Sequence, residues 1–336
     1  MSHQFRTLIL LSLITLVSSC GNNNGRLLVE GSFKGINQGE LYIYGMDGTY
    51  PLDTIALSKG EFRYLIPLED SITFILVFPN FSELPIFGES GAEIKIKGDA
   101  THLKETEIKG TKINEEMTAF RLRTSGQTPP EIARSAAQFI KDHPDSPASI
   151  YLLNRYFIQS PEPDYPQAKE LAAIIQKAHP NNPRIAEISR WTEGLKALKD
   201  QGKLPSFTAT DINGKNISSA DLNAQVNVIA TWATWNYESQ NTMRQLYQMI
   251  TWMKRDIKVV GVCVDANINE CKKIATSDSI PWTTICDGRM WETPILHKTG
   301  LSYVPDNIIT DRQGKILGHS LNYTEMRKII DEQFKE

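Results

Sequence analysis

The hydrophobic period of this chain changes twice, and the two changes limit what it can fold into. From residue 26 to 112, apolar residues alternate with polar ones, the period-two pattern of strands with one buried face. From 113 to 200 they recur at helical spacing. From 201 to 336, apolar strand-like runs alternate with helical stretches, the order expected of an α/β sheet. A chain of 336 residues with two such switches is expected to carry an all-β sandwich-like domain, an α-helical spacer and an α/β domain.

Within 26–112, Leu27, Val29 and Phe33 alternate with polar or small neighbours. Ser58-Lys59-Gly60 separates two strand patterns and predicts a hairpin turn. The continuous run Ile72–Phe78 predicts a strand buried on both faces. Ile94 and Ile96 are expected inward, with Lys95 and Lys97 outward. Short strands at regular spacing predict a small antiparallel sandwich, and no titratable cluster stands out. This region resembles the small β-domain of unknown function found ahead of thioredoxin-like domains in Gram-negative envelope lipoproteins. The resemblance rests on the hairpins and on the stretch from Phe87 to Asp99, and it implies no chemistry. In 113–200, Pro129-Pro130 opens a helix that His143-Pro144 ends, and further helices follow through Leu198. No repeated signature appears, so a spacer packed on its neighbours is expected rather than a repeat array.

The N-terminus reads as an address. Arg6 precedes an apolar run from Leu8 to Val17, too short to span a membrane and of the length of a signal-peptide core. Ser18, Ser19 and Cys20 follow, then a polar, flexible stretch, Gly21–Gly25. This order resembles the lipobox of bacterial lipoproteins. The resemblance implies that residues 1–19 are a signal peptide and that Cys20 is acylated, with 20–25 as its tether. Gly21, not aspartate, follows the cysteine, which by the enterobacterial sorting rule implies the periplasmic face of the outer membrane. Membrane lipid is thus an expected partner. Nucleic acid is not, because 36 basic and 39 acidic residues leave a formal charge of -3 with no basic block.

The α/β region carries the most specific motifs. Leu204-Pro205-Ser206-Phe207 precedes an Asn213-Gly214 hairpin turn. Trp232-Ala233-Thr234-Trp235 closes a strand, and a second buried strand runs from Ile257 to Asp265. Ile280-Pro281-Trp282 and Val304-Pro305, the latter followed by a strand with a Gln313-Gly314 turn, complete the order. The region resembles the periplasmic thioredoxin-like thiol-disulfide oxidoreductases of TlpA/ResA type, related to the thiol-specific antioxidant group. In that family Cys-x-x-Cys follows the tryptophan motif. Here Asn236 and Ser239 occupy the two cysteine positions. An amide cannot become a thiolate and a hydroxyl cannot close a disulfide, so dithiol chemistry is excluded at this turn.

The resemblance implies a cis peptide before Pro305 and a peptide-binding groove lined by Trp235, Asn236, Tyr237, Glu238, Tyr303 and Pro305. The expected role is binding or scaffolding of envelope peptides or proteins. The alternative is a thiol-disulfide oxidoreductase or peroxidase working through Cys263, Cys271 or Cys286. Cys263 sits in a strand pattern and Cys271 on a helix beside Lys272 and Lys273. Cys286 precedes Asp287-Gly288, and all three are expected to be buried or structural. No Cys-x-x-Cys pair, metal-ligand spacing or phosphate loop appears, so no metal or cofactor is expected.

Overall fold

The computed structural model describes residues 25–46, 50–160, 162–180, 202–277 and 282–335, with Ile185, Ile188, Thr192, Leu195 and Leu198. The expected signal peptide, residues 1–19, and Cys20 lie outside the described residues, as do Ile280 and Pro281. No helix among the described residues is long and apolar enough to cross a membrane.

The all-β region comprises β1 (Arg26–Lys34), β2 (Gln38–Gly45), β3 (Asp53–Ser58), β4 (Glu61–Pro67), β5 (Ile72–Val77), β6 (Glu83–Gly88), β7 (Glu93–Asp99) and β8 (Glu107–Lys109). They form one continuous eight-stranded ladder, ordered β6-β5-β2-β3-β4-β1-β7-β8. It is therefore not two separate antiparallel sheets, and β1 pairs with β7 in parallel. The resemblance to a sandwich has a physical origin. Beyond the Lys59-Gly60 turn, β3 and β4 share a single register pair, Ser58 with Glu61. The ladder splays there and folds over, so Leu41, Ile43, Phe74 and Leu76 from one half meet Leu27, Val29, Ile94 and Ile96 from the other. Both turn residues have positive φ, 54° and 77°, as a two-residue hairpin of type I′ requires. A side chain at position 60 would start 2.5 Å from the Phe33 carbonyl, so only glycine fits.

The helices cover one outer face of this sheet. They are α1 (Lys112–Thr124), α2 (Pro129–Asp142), α3 (Pro147–Leu153), a π-helical turn (Asn154–Ile158) and α4 (Tyr165–Ala178). Strand β5 is accordingly buried on both faces: Phe74 and Leu76 face the β core, while Ile75 and Val77 join Met117, Phe120 and Leu152 under the helices. The edge strand β6 is closed by the buried Asn114. Its amide oxygen accepts from the Phe87 N–H (3.0 Å), and its amide nitrogen donates to the Phe87 carbonyl (2.8 Å). The same apolar cluster runs on through Ile185, Ile188, Leu195 and Leu198 to Ile229, Val260 and Ile308. The helices thus join the two sheets.

The α/β region opens with a small hairpin, β9 (Thr208–Thr210) and β10 (Asn216–Ser218). Its main sheet is ordered β13-β12-β11-β14-β15: β11 (Val226–Trp232), β12 (Ile257–Cys263), β13 (Thr283–Ile285), β14 (Asn307–Asp311) and β15 (Ile316–His319). The first three are mutually parallel and β14 and β15 are antiparallel additions. Helix α5 (Tyr237–Met253) links β11 to β12, α6 (Ile268–Ser277) links β12 to β13, and α8 (Tyr323–Gln333) ends the chain. A short helix α7 (Pro294–Thr299), stopped by Gly300 at φ 70°, was not evident from the hydrophobic pattern. Chain order reverses between β11 and β14, and open α/β sheets bind ligands in the crevice beyond such a point.

Candidate functional site

The crevice lies where β11 ends and α5 begins. Asn236 is the N-cap of α5: its side-chain oxygen accepts the Ser239 N–H at 2.8 Å. Ser239 is fully buried; its hydroxyl donates to the Asn236 carbonyl (2.8 Å) and accepts from the Ala233 N–H (3.1 Å). Asn236 and Ser239 are thus joined by reciprocal hydrogen bonds. An asparagine cap of this kind stabilises a helix by about 1 kcal/mol. The Asn236 amide also donates to the Val304 carbonyl at 3.4 Å, across to the loop before Pro305.

That loop carries the expected cis bond between Val304 and Pro305. Thr231 fastens it to β11, since its hydroxyl donates to the Tyr303 carbonyl and accepts from the Asp306 N–H, both at 2.7 Å. Tyr303 is half-buried. Burial, then the nearby Asp306 carboxylate, pushes its hydroxyl well above the ordinary tyrosine range, so it stays protonated.

Trp235 leaves the turn and stacks on Phe81, with ring centroids 4.7 Å apart and planes 16° from parallel. Phe81 sits at the tip of the β5–β6 hairpin, held at φ 59° with its N–H donating to the Phe78 carbonyl. The all-β region therefore reaches over the crevice of the α/β region. Between them and the helices lies a cleft of about 430 Å³. Its walls include Tyr44 and Glu83 from the sheet, Arg121, Tyr151 and Arg155 from the helices, and Trp235, Trp291 and Tyr303 from the α/β region. Burial pushes the Glu83 carboxyl up, while the Arg155 charge and a hydrogen bond from the Trp291 side chain pull it back.

Of the six groove candidates, Trp235 and Tyr303 line this cleft, and Asn236 and Pro305 form the frame behind it. Tyr237 is 75% exposed, with the Arg244 guanidinium over its ring, and Glu238 is exposed; neither lines the cleft. Phe81, Glu83, Arg155 and Trp291 escaped sequence reasoning because they come from three regions with no shared local pattern. The only available signal was an aromatic residue inside the polar turn Asn80-Phe81-Ser82.

The three downstream cysteines converge. Val262 and Ile285 are register partners on the parallel strands β12 and β13, so the next residue on each, Cys263 and Cys286, lies side by side. The crossover helix α6 brings Cys271 onto the same core. All three sulfurs lie within 4.8 Å of one another, and the residues are 1%, 0% and 5% exposed. The Cys263 thiol donates to Asp265 Oδ2 at 3.1 Å, and that oxygen also accepts the Thr234 N–H at 3.0 Å. Hydrogen bonds from Cys263 and Cys271 pull the Cys286 thiol down to about 4, while burial pushes Cys263 up.

A cis-proline loop facing the N-terminus of the first helix, at the end of a central parallel strand, defines a thioredoxin-like domain. Residues 201–318 match the AhpC/TSA family, and residues 27–117 match a domain of unknown function, DUF4369. The chain therefore has an AhpC/TSA thioredoxin-like domain behind a DUF4369 domain. No curated protein matches it. Among solved structures, it is similar to the C-terminal domain of a protein described as a thiol-disulfide oxidoreductase from Bacteroides thetaiotaomicron. That match has 24% identity and TM-score 0.37, and covers 40% of this chain and 97% of the other. A thiol-disulfide oxidoreductase from Bacteroides fragilis matches with 18% identity and TM-score 0.35, over 39% and 98% of the two chains. A thiol:disulfide interchange protein from Chlorobium tepidum matches with 21% identity and TM-score 0.34, over 40% and 97%.

Proposed function

We propose that this chain is a lipid-anchored binding protein of the periplasmic face of the outer membrane, held there by acylated Cys20. Its thioredoxin-like domain serves as one wall of a ligand cleft rather than as a redox catalyst. The observation that carries this reading is the turn itself. Asn236 and Ser239 spend their polar atoms on capping and closing the helix start, and Trp235 beside them is engaged by Phe81 from another region. With the crevice roofed by that hairpin, a folded partner has no approach to Trp235. An extended polypeptide segment fits better, its apolar side chains against Trp235 and Tyr303 and its carboxylates toward Arg155.

The competing enzyme reading would have to run through Cys263, Cys271 or Cys286. Their exposures of 1%, 0% and 5% keep a bulky disulfide substrate away from the sulfurs. A fluorescein-labelled unfolded polypeptide, reduced and carboxymethylated so that it carries no thiol, tests the proposal by anisotropy. Saturable binding that weakens at least tenfold, about 1.4 kcal/mol, in Trp235→Ala and in Arg155→Ala is expected. Absence of binding, or binding that both substitutions leave unchanged, refutes it.

A further inference from the structure

We infer that Cys263, Cys271 and Cys286 form a three-sulfur site for Cu(I). The ground is geometric. Three side chains from two adjacent strand ends and the helix that crosses over them converge on one point, with all sulfurs within 4.8 Å. A metal–sulfur bond of about 2.3 Å sets three sulfurs in a plane about 4 Å apart, so contraction of less than an ångström completes the site. The cluster borders a buried carboxylate. Asp265 is 2% exposed, and its Oδ1 has no hydrogen-bond partner among the described residues. Its other oxygen touches the Cys263 sulfur.

The donor set chooses the ion. Soft thiolates select Cu(I) and Zn(II), and structural zinc takes four ligands. Among the described residues no fourth His, Cys, Asp or Glu side chain joins the three sulfurs, and the nearby Asp265 Oδ2 is already held by the Thr234 N–H and Cys263. Three sulfurs alone suit three-coordinate Cu(I). Binding is a ligand exchange without electron transfer. Cu(I) leaves its carrier chelate, three copper–sulfur bonds form, and each ligating thiol releases its proton to solvent.

This inference stands apart from the cleft and does not depend on it. The test uses the chain from residue 20 onward carrying Cys20→Ala, so that only these three thiols remain, reduced and kept without oxygen. Cu(I) is supplied as its bicinchoninate complex. The expected result is withdrawal of one equivalent of copper, with X-ray absorption showing three sulfurs at one distance. Cys271→Ala and Cys286→Ala should each lower the affinity at least a hundredfold, with circular dichroism confirming that each still folds. Should either variant not fold, the sulfur count in the unsubstituted chain decides. No copper withdrawal, a shell of two sulfurs or of mixed nitrogen and oxygen, or affinity unchanged in Cys271→Ala overturns the site. So does a disulfide among the three thiols in protein isolated from the envelope without reductant.

Discussion

Two spots on the thioredoxin-like domain, tied together by the Thr234–Asp265 hydrogen bond, have opposite relations to their sequences. The turn from Ala233 to Ser239, at the start of α5, holds an amide and a hydroxyl spent on backbone groups. The cluster of Cys263, Cys271 and Cys286 has no spacing motif, and it gathers three thiols in the core. Position in the fold therefore does not carry chemistry by itself. A helix N-terminus stabilises a thiolate only if a sulfur is there, and otherwise its unpaired N–H groups need a cap. Asn236 provides one. At the second spot the sheet register brings the sulfurs together, and register is a property of pairing rather than of any local run of residues.

The sharpest way to break the comparison is to remove what both spots rest on. Trp232 is fully buried at the end of β11 and shares a core with all three cysteines. Trp232→Ala should cost about 3–5 kcal/mol, read from the urea midpoint, and should expose the cysteines to alkylation under native conditions. An intact thiol cluster in that variant would show that the two spots are built independently. Ser239→Ala comes next. It strips the partner from the Ala233 N–H and should cost about 1–3 kcal/mol while leaving alkylation of the cysteines unchanged. Asn236→Ala should cost about 1 kcal/mol by loss of the cap, and Asn236→Asp should recover most of it because a carboxylate also accepts the Ser239 N–H. Equal losses in both variants would mean that the bond to Val304, rather than the cap, is what matters.

The smallest effect concerns pH. Burial raises the Glu83 carboxyl in the folded chain, so between its unfolded and folded values the native state binds more protons than the unfolded one. The Glu83 contribution to stability should therefore be greatest below the ordinary carboxylate range and decline as pH rises through its folded value. Glu83→Gln should remove that part of the slope, measured by urea unfolding across mildly acidic pH. An unchanged slope would mean that Arg155 and Trp291 fully compensate the charge.

Much of the fold was legible because its periods are clean. The Lys59-Gly60 turn, the doubly buried β5, and the inward Ile94 and Ile96 follow from alternation and turn chemistry alone. The single folded-over ladder was not legible, since the splay between β3 and β4 leaves no mark in either strand's pattern. Helix α7 is too short to show a period and is fixed by its Pro294 and Gly300 boundaries. At the site, the motif order located Trp235, Asn236 and the Val304-Pro305 bond. Tyr237 and Glu238 follow Asn236 in the chain, but the first turn of α5 rotates them out to solvent. Phe81, Glu83 and Arg155 become neighbours only through packing of three regions.

The central proposal is that the turn after β11 serves hydrogen bonding rather than thiol chemistry. Insulin reduction with dithiothreitol as the electron source tests it most directly, comparing the unsubstituted chain with the double variant Asn236→Cys, Ser239→Cys. The account predicts no acceleration over dithiothreitol alone for the unsubstituted chain. It predicts measurable turnover, with a reducible disulfide between positions 236 and 239, for the double variant. Turnover by the unsubstituted chain that disappears in Cys286→Ala would contradict it, because the buried cluster would then be the catalyst.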